Sequence, residues 1–239
     1  NLVNLKTIDL YGSRELIEMP NLSKAEQLES VCLAYCESLR QLHLSMFSFP
    51  MLTYLDIRGC REIESIVHSK SLNELNFTGC SSLKAIAMIS EEIIKLDLSH
   101  CKEIESLDLH LKYLSALDLC GTSICSLPSS IGHLLSLETL NLSGTNVESL
   151  PASIKNLSML RWLHLTDCRK LMSLLELPSS VEELYLNDYT KFMSLPELLP
   201  SLGALYLKNC WKLMSLSALS SSLEDVIAVN CTSLETNNT

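Results

Sequence analysis

Apolar side chains recur along the chain in one fixed arrangement, L-x-x-L-x-L, followed three residues later by a small residue or tyrosine and then by one more apolar residue. The alternation at its third to sixth positions predicts a short strand with one buried side. The arrangement occurs eleven times, with adjacent copies 20 to 24 residues apart. Repeats of this length are typical of solenoids in which each unit supplies one strand and one return segment. The ninth positions are Ser13, Cys36, Cys60, Cys80, Cys101, Thr122, Thr145, Cys168, Tyr189, Cys210 and Cys231.

The strand of the third repeat, "YLDIR", illustrates the two sides of each unit. Alternation turns Leu55 and Ile57 inward and places Tyr54, Asp56 and Arg58 on the opposite side. Repeat positions three, five and seven therefore share one side of the predicted sheet. We call this side the open face, and it is where we expect a partner to bind.

Position eight must leave the strand in a tight turn. It is filled mainly by residues that accept a positive φ or turn through local side-chain bonds. We predict such a turn in each repeat, with His100 in place of glycine in the fifth. The Gly, Asp and Asn residues at this position are Gly12, Gly59, Gly79, Gly121, Gly144, Asp167, Asp188, Asn209 and Asn230.

The spacing resembles that of leucine-rich repeats, so we expect an α/β repeat solenoid: a leucine-rich-repeat horseshoe with about eleven short parallel strands on its concave face. Residues 1–239 are predicted to form a single such domain. The return segments within 127–140 and 150–163 are long enough for a helical turn, which Pro128 and Pro151 are suited to open. The other returns are expected to be irregular or extended, the latter near 65–75 and 194–205.

Cysteine fills most of the ninth positions, and threonine fills two others. Their shared property is a small inward side chain that can bond to a neighbouring carbonyl, and a buried thiol of this kind is unreactive. We therefore interpret these residues as a structural ladder with reduced thiols, as expected in a reducing compartment. The ladder comprises Cys36, Cys60, Cys80, Cys101, Thr122, Thr145, Cys168, Cys210 and Cys231.

Three further thiols stand outside the ladder. Cys32 and Cys120 occupy open-face positions and are expected to be the oxidisable ones, whereas Cys125 lies in a return segment. No C-x-x-C pair is present, so we expect no metal site. His100 and Cys101 are adjacent, but catalysis by such a pair needs an orienting third group and an oxyanion pocket, which the sequence does not indicate.

Composition narrows the function further. The net charge of −10 and the scattered basic residues argue against binding of nucleic acid. No apolar run is long enough to cross a membrane. Five of the seven glycines occupy the turn position, which leaves no glycine-rich loop for a nucleotide phosphate. We therefore expect a protein without catalysis or a cofactor, whose partners are other proteins.

The open face changes character along the chain. At position five its first part is acidic and amide-rich, and we single out Asp56, Asp97 and Asp118 as an electrostatic element, the acidic stripe, that could attract a basic surface of a partner or of another domain of the same protein. The later repeats carry aromatic residues instead, which are typical of interaction hot spots. We therefore predict a protein-binding surface in repeats eight to ten, comprising Trp162, His164, Tyr185, Asn187, Tyr206 and Lys208.

The segment "NLVNLKTIDLYGSRELIEMPNLSKAEQLESVCLAYCESL" (1–39) resembles plant intracellular nucleotide-binding leucine-rich-repeat disease-resistance receptors, in particular the subgroup with an N-terminal TIR domain. The segment 117–168 is similar to the central repeats of that family. The resemblance implies a cytoplasmic or nucleocytoplasmic receptor. In it, this domain would sense a pathogen effector or a guarded host protein and restrain the receptor's own nucleotide-binding domain.

The residues alone leave two other classes of protein possible. An extracellular leucine-rich-repeat receptor or adhesion protein would carry glycans on its repeats and a secretory leader. The substrate-binding repeat of a ubiquitin-ligase adaptor would have longer units with a regular convex helix. The sequence upstream would separate the three, since a nucleotide-binding loop, a signal peptide and an F-box each identify one class.

Overall fold

Short parallel strands joined by return segments build the described part of the chain. The computed structural model describes residues 2–42, 49–67, 72–90, 92–174, 177–189, 191, 200–216, 219 and 221–234. Two compact units are formed, Asn1–Ser123 and Ile124–Thr239. The strands pair in parallel in the order of the repeats, which confirms the predicted parallel-strand solenoid. The return segment predicted to be extended near 194–205 lies mostly outside the described residues.

Eleven strands occupy positions three to five of successive repeats, and each pairs in parallel with its neighbours in the same unit. In the first unit they follow the order β1 (Thr7–Asp9), β2 (Ser30–Cys32), β3 (Tyr54–Asp56), β5 (Glu74–Asn76), β7 (Lys95–Asp97) and β9 (Ala116–Asp118). In the second unit they are β10 (Thr139–Asn141), β11 (Trp162–His164), β12 (Glu183–Tyr185), β13 (Ala204–Tyr206) and β14 (Asp225–Ile227).

The register between strands places equal repeat positions side by side. Leu163, for example, lies opposite Leu184, which lies opposite Leu205. All three leucines are fully buried. Inward positions thus form continuous apolar columns, and the outward positions form matching columns on the open face.

The return segments take two forms. In the first unit, β4 (Ser65–Val67), β6 (Ala85–Ser90) and β8 (Ser106–Leu111) pair into a second parallel sheet. The extended return predicted near 65–75 is confirmed for β4, but the pairing was not predicted. In the second unit, 3₁₀ helices span Ser129–His133 and Ala152–Asn156, and each begins directly after the predicted proline.

Position eight adopts a positive φ in every repeat, between +57° and +73°. The prediction made from its Gly, Asp and Asn residues is confirmed, and the two bulkier residues follow the same geometry. Tyr35 and His100 accept this conformation at a cost of about 1–2 kcal/mol each. Their rings lie over Gly59 and Gly121 of the following repeats, where a Cβ would come within 2.6 Å and 2.5 Å of the ring. These two glycines therefore provide space as well as the turn.

The ladder thiols connect one repeat to the next. Each donates to the carbonyl at position six of the preceding repeat; Cys60, for example, reaches the Leu33 oxygen at 3.1 Å and Cys101 reaches that of Phe77 at 3.1 Å. Thr122 instead donates to Leu119 within its own repeat, at 2.8 Å. A C–S bond is longer than a C–O bond, which allows the thiol to bridge strands. The other ladder bonds of these two kinds are formed by Cys36, Cys80, Cys168, Cys210 and Cys231, and by Thr145.

Where the following repeat carries a ladder cysteine, the position-six carbonyl accepts two hydrogen bonds. The Leu10 oxygen accepts the Ser13 N–H at 3.0 Å and the Cys36 thiol at 3.2 Å. The first bond closes the turn, and the second joins the turn to the next repeat. Because a buried carbonyl without partners is costly, the ladder stabilises the point at which each strand ends.

Thiol reactivity should follow this arrangement. Cys125 is exposed, whereas Cys32 and Cys120 are half-buried, so Cys125 rather than the two open-face thiols should be alkylated first. Burial raises the pKa of Cys60 and Cys101 to about 12, and both thiols therefore stay protonated and unreactive even at alkaline pH. Mass spectrometry after timed alkylation of the native and the urea-unfolded chain tests this order. Modification of native Cys60 as fast as Cys125 would contradict the buried ladder.

Candidate protein-interaction surface

Three aromatic rings stand in one row on the open face of the second unit. His164, Tyr185 and Tyr206 occupy position five of β11, β12 and β13. The His164 and Tyr185 rings stack with centroids 4.1 Å apart, and the Tyr185 and Tyr206 rings with centroids 4.2 Å apart. The strand register brings equal positions into this contact. We call the three residues the aromatic ridge.

Glu183 fixes the orientation of two aromatic side chains. One carboxylate oxygen accepts the Trp162 indole N–H at 3.0 Å, and the other accepts the Tyr185 hydroxyl at 2.6 Å. The bonds from Tyr185 and Trp162 hold the pKa of Glu183 below its usual value. Arg161 lies over the Trp162 ring, 4.8 Å from its centroid, and pairs with Glu182 at 2.7 Å. Trp162 is thus held from two sides.

Position seven borders the ridge on the other side. Asn187 donates to the Thr166 hydroxyl at 3.4 Å and accepts the backbone N–H of Lys208 at 2.9 Å. The Lys208 residue is exposed, so its charge is available to a partner. The structure thus brings all six residues predicted for partner binding onto one open face within one unit.

Sequence reasoning missed the two charged residues that orient Trp162. Glu183 occupies position three, one strand away from Trp162, and a carboxylate beside an indole in adjacent repeats could have indicated the contact. Arg161 lies at position two, which the open-face pattern left out. A second aromatic pair was also missed: Tyr11 and Tyr35 meet edge to face in the first unit, with centroids 5.5 Å apart.

The acidic stripe has a structural role that its charge does not reveal. At position five, an Asp or Asn oxygen accepts the backbone N–H two residues later, as from Ser99 to Asp97 at 2.9 Å and from Cys120 to Asp118 at 2.8 Å. Such bonds stabilise turns and strand ends. The same bond is formed by Asp9, Asp56, Asn76 and Asn141. Carboxylate and amide serve equally, so the geometry and not the charge is shared.

Asp56 differs from the other stripe residues in its burial. Only 4% of it is exposed, and its carboxylate pairs with Arg58 at 2.7 Å and accepts the Tyr54 hydroxyl at 3.2 Å. Burial opposes ionisation of Asp56, but the bonds from Arg58 outweigh it and lower its pKa. The Asp56–Arg58 pair is largely self-neutralising, so Asp56 contributes little to the negative field of the open face.

Within the described ranges, no group of three or more His, Cys, Asp or Glu residues is arranged to hold a metal ion. Those same ranges contain no helix with the length and apolar character needed to cross a membrane.

The fold and the repeat pattern together define a leucine-rich-repeat protein. A family model described as "Leucine-rich repeat region" matches residues 62–226, and the chain belongs to this family. A solved structure, the leucine-rich repeat domain of the type III effector XopL, superposes with a TM-score of 0.57 at 19% identity, covering 94% of this chain and 76% of that one. At this identity the likeness concerns the fold alone.

Among curated proteins, the chain is similar to plant disease resistance proteins. It is 36% identical over 131 residues to disease resistance protein RPP4 of Arabidopsis thaliana, covering 50% of this chain and 11% of that protein. It is 35% identical over 139 residues to RML1A of the same plant, covering 54% and 14%. The resemblance drawn from the sequence is confirmed. The chain spans about a tenth of the length of these relatives.

Replacing a stripe residue should separate its structural role from its charge. Asp97→Ala removes the acceptor for the Ser99 N–H and should lower the free energy of unfolding by about 1 kcal/mol. Asp97→Asn keeps that acceptor, as Asn76 does in the adjacent repeat, and should leave stability nearly unchanged. Urea unfolding followed by circular dichroism measures both variants. Equal losses would show that the charge, and not the bond, stabilises the strand end.

Proposed function

We propose that this chain is the recognition domain of a plant immune receptor, and that the open face of its second unit binds a pathogen effector or a guarded host protein. The observation that carries the proposal is the aromatic ridge, oriented beside Trp162 on an outward sheet surface. The leucine-rich-repeat fold is a scaffold for protein interaction, and the similarity to disease resistance proteins supports the class of receptor. The cysteines of the described residues form no disulfide with one another, which fits a receptor of the cytoplasm.

Binding energy would come from side chains whose positions are already set. Stacking holds Tyr185 between two rings, and Glu183 holds its hydroxyl as well as the Trp162 indole. Ordering a side chain on association costs about 0.5–1.5 kcal/mol, so pre-ordered aromatic side chains lose less on binding. Rigid, half-exposed aromatic groups of this kind are what interaction hot spots use.

The proposal includes restraint of the receptor by the acidic stripe. Asp97 and Asp118 are half-buried on the open face of the first unit, adjacent in register, and each accepts a backbone N–H without being neutralised by it. Two adjacent carboxylates attract a basic surface, such as one on the receptor's own nucleotide-binding domain. Such attraction is weakened by salt.

The first prediction concerns the role of Trp162 and Tyr185 in the response to an effector. A leaf assay that co-expresses the full receptor with a library of pathogen effectors first identifies one that triggers cell death. Joint replacement Trp162→Ala and Tyr185→Ala should then abolish the response at equal protein abundance, since hot-spot residues contribute about 2 kcal/mol or more each. Trp211→Ala is the matched control, because Trp211 is 53% exposed but lies in the turn after β13. A normal response from the double variant would refute the assignment.

The second prediction concerns restraint of the receptor. It is tested with substitutions that remove the charges of Asp97 and Asp118 but keep the oxygens that accept the backbone N–H groups. Asp97→Asn with Asp118→Asn should give a response without effector if these charges hold the receptor closed. Asp108→Asn, which removes an exposed charge from β8 rather than from the open face, is the control and should remain silent. The measurement is cell death in leaves at matched abundance. Silence of the Asp97 and Asp118 variant would exclude electrostatic restraint by the stripe.

A further inference from the structure

Three repeats of the second unit continue beyond the ninth position with almost the same five residues. They are K-L-M-S-L at 170–174, K-F-M-S-L at 191–195 and K-L-M-S-L at 212–216. Each segment starts two residues after the ninth position of its repeat, so its lysine lies at position eleven and its methionine at position thirteen. The structure describes the first and third segments in full, and Lys191 of the second.

Burial alternates along these segments and sets the direction of their side chains. Leu171 and Leu213 are buried, whereas the lysine and the methionine on either side of each leucine are exposed. As in a strand, residues on both sides of one inward residue point the same way. Met172 is 66% exposed and Met214 39%, although methionine is usually buried. Lysine and methionine therefore share one outward surface.

Hydrogen bonds between turns hold these segments side by side. The Asp167 N–H donates to the Asn187 oxygen at 2.9 Å, and the Asp188 N–H donates to the Lys208 oxygen at 2.7 Å. Neighbouring strands are about 4.8 Å apart, so equal positions of three successive repeats span roughly 10 Å. Basic residues that are scattered along the sequence are thus gathered in space. The surface that we call the basic flank comprises Lys170, Lys191, Lys212, Met172 and Met214.

The basic flank carries positive charge that the described part of the chain does not neutralise. None of its three lysines forms an ion pair with a described residue. In the turns before them, Asp167 pairs with Arg169 at 2.6 Å, and Asp188 accepts the Asn209 amide at 2.7 Å. Arg169 and the three lysines outnumber these two carboxylates. The flank is therefore positive on a chain whose net charge is −10.

The same repeat positions of the first unit have the opposite character. Positions eleven and thirteen hold Glu62 and Glu64 in the third repeat, and Glu103 and Glu105 in the fifth. All four glutamates are exposed. The fold therefore requires only that these positions point outward, and it does not dictate lysine and methionine there. Lysine beside exposed methionine is a combination that would serve binding.

We propose that the basic flank is a second binding surface, separate from the open face, and that it takes an acidic segment of a protein partner that also carries apolar side chains. Carboxylates of that segment lie along the lysine row, and its apolar side chains pack on the methionines. Methionine suits this role because its flexible, polarisable side chain adapts to apolar groups of different shapes. A nucleic acid fits less well, since a long polyanion would extend past the short lysine row onto a chain that is acidic overall.

A fluorescent peptide of glutamate, leucine and serine tests this chemistry on the 239-residue chain, beside a twin in which serine replaces every leucine. Fluorescence anisotropy should show that the leucine peptide binds about tenfold tighter than its twin, because only the leucine peptide can use the methionines. Its binding should weaken as the salt concentration rises. The overall charge of the chain repels both peptides, so binding reports a local positive surface. Failure of the leucine peptide to bind refutes the proposal.

Lysine substitutions then locate the binding. The flank variant combines Lys170→Ser, Lys191→Ser and Lys212→Ser. The control variant combines Lys24→Ser, Lys84→Ser and Lys102→Ser, which are exposed lysines of the first unit, so both variants lose the same charge. The flank variant should bind the leucine peptide at least about tenfold more weakly than the unaltered chain, and the control variant should bind it nearly as well. Equal binding by the two variants would overturn the inference.

Two further measurements test the methionines and the class of partner. Met172→Ser with Met214→Ser should reduce the affinity for the leucine peptide to that for its twin, while urea unfolding stays nearly unchanged because both side chains are exposed. An oligothymidylate serves as the nucleic-acid probe and should bind more weakly than the leucine peptide. Tighter binding of the oligothymidylate, lost in the flank variant, would assign the surface to nucleic acid and contradict the proposal.

The basic flank and the open face can be tested independently. The Trp162 and Tyr185 double variant should bind the leucine peptide as the unaltered chain does, since neither residue lies on the flank. Loss of the peptide by this variant would show that the two surfaces are not separate, and the inference would fail. A normal effector response from the same variant refutes the proposed function and leaves the basic flank standing.

Discussion

Every repeat must end its strand within a few residues while keeping its register with the next strand, and the structure depends on how position eight meets this constraint. A left-handed residue there reverses the chain, and the position-six carbonyl then accepts both a bond within its turn and a thiol from the following repeat where cysteine fills the ladder. With the turn fixed, equal positions of adjacent repeats face each other. The aromatic ridge and the thiol ladder are both consequences of that alignment.

Features governed by local chemistry could be predicted from the sequence, and features governed by pairing between return segments could not. Alternation defined the strands, and Gly, Asp and Asn at position eight indicated the positive φ. The second sheet forms because β4, β6 and β8 each begin five residues after Cys60, Cys80 and Cys101. Only this equal offset allows three return segments to align. The alternating leucines of 107–111 were a signal for it, but their pairing partners lie about twenty residues away.

The position-five side chains of the open face have a structural role that the pattern of charges does not indicate. Asp97 and Asn76 make the same bond at position five, so the strand end requires the side-chain oxygen and not the charge. In β11 to β13 the same position holds His164, Tyr185 and Tyr206, whose side chains lack that carboxylate or amide oxygen. These repeats give up a stabilising bond that other repeats keep. The proposed binding of a partner would account for this loss, because outward rings bury little apolar area within the domain itself.

Most residues serve either the fold, on the inward side of a strand, or the open face, on its outward side, but a few residues serve both. Inward leucines and thiols can keep the fold while outward residues change, since alternation gives each set its own side of the strand. Glu183 and Asn187 are exceptions, because each orients a neighbour in an adjacent repeat. Substitution at either residue therefore alters two repeats of the face at once.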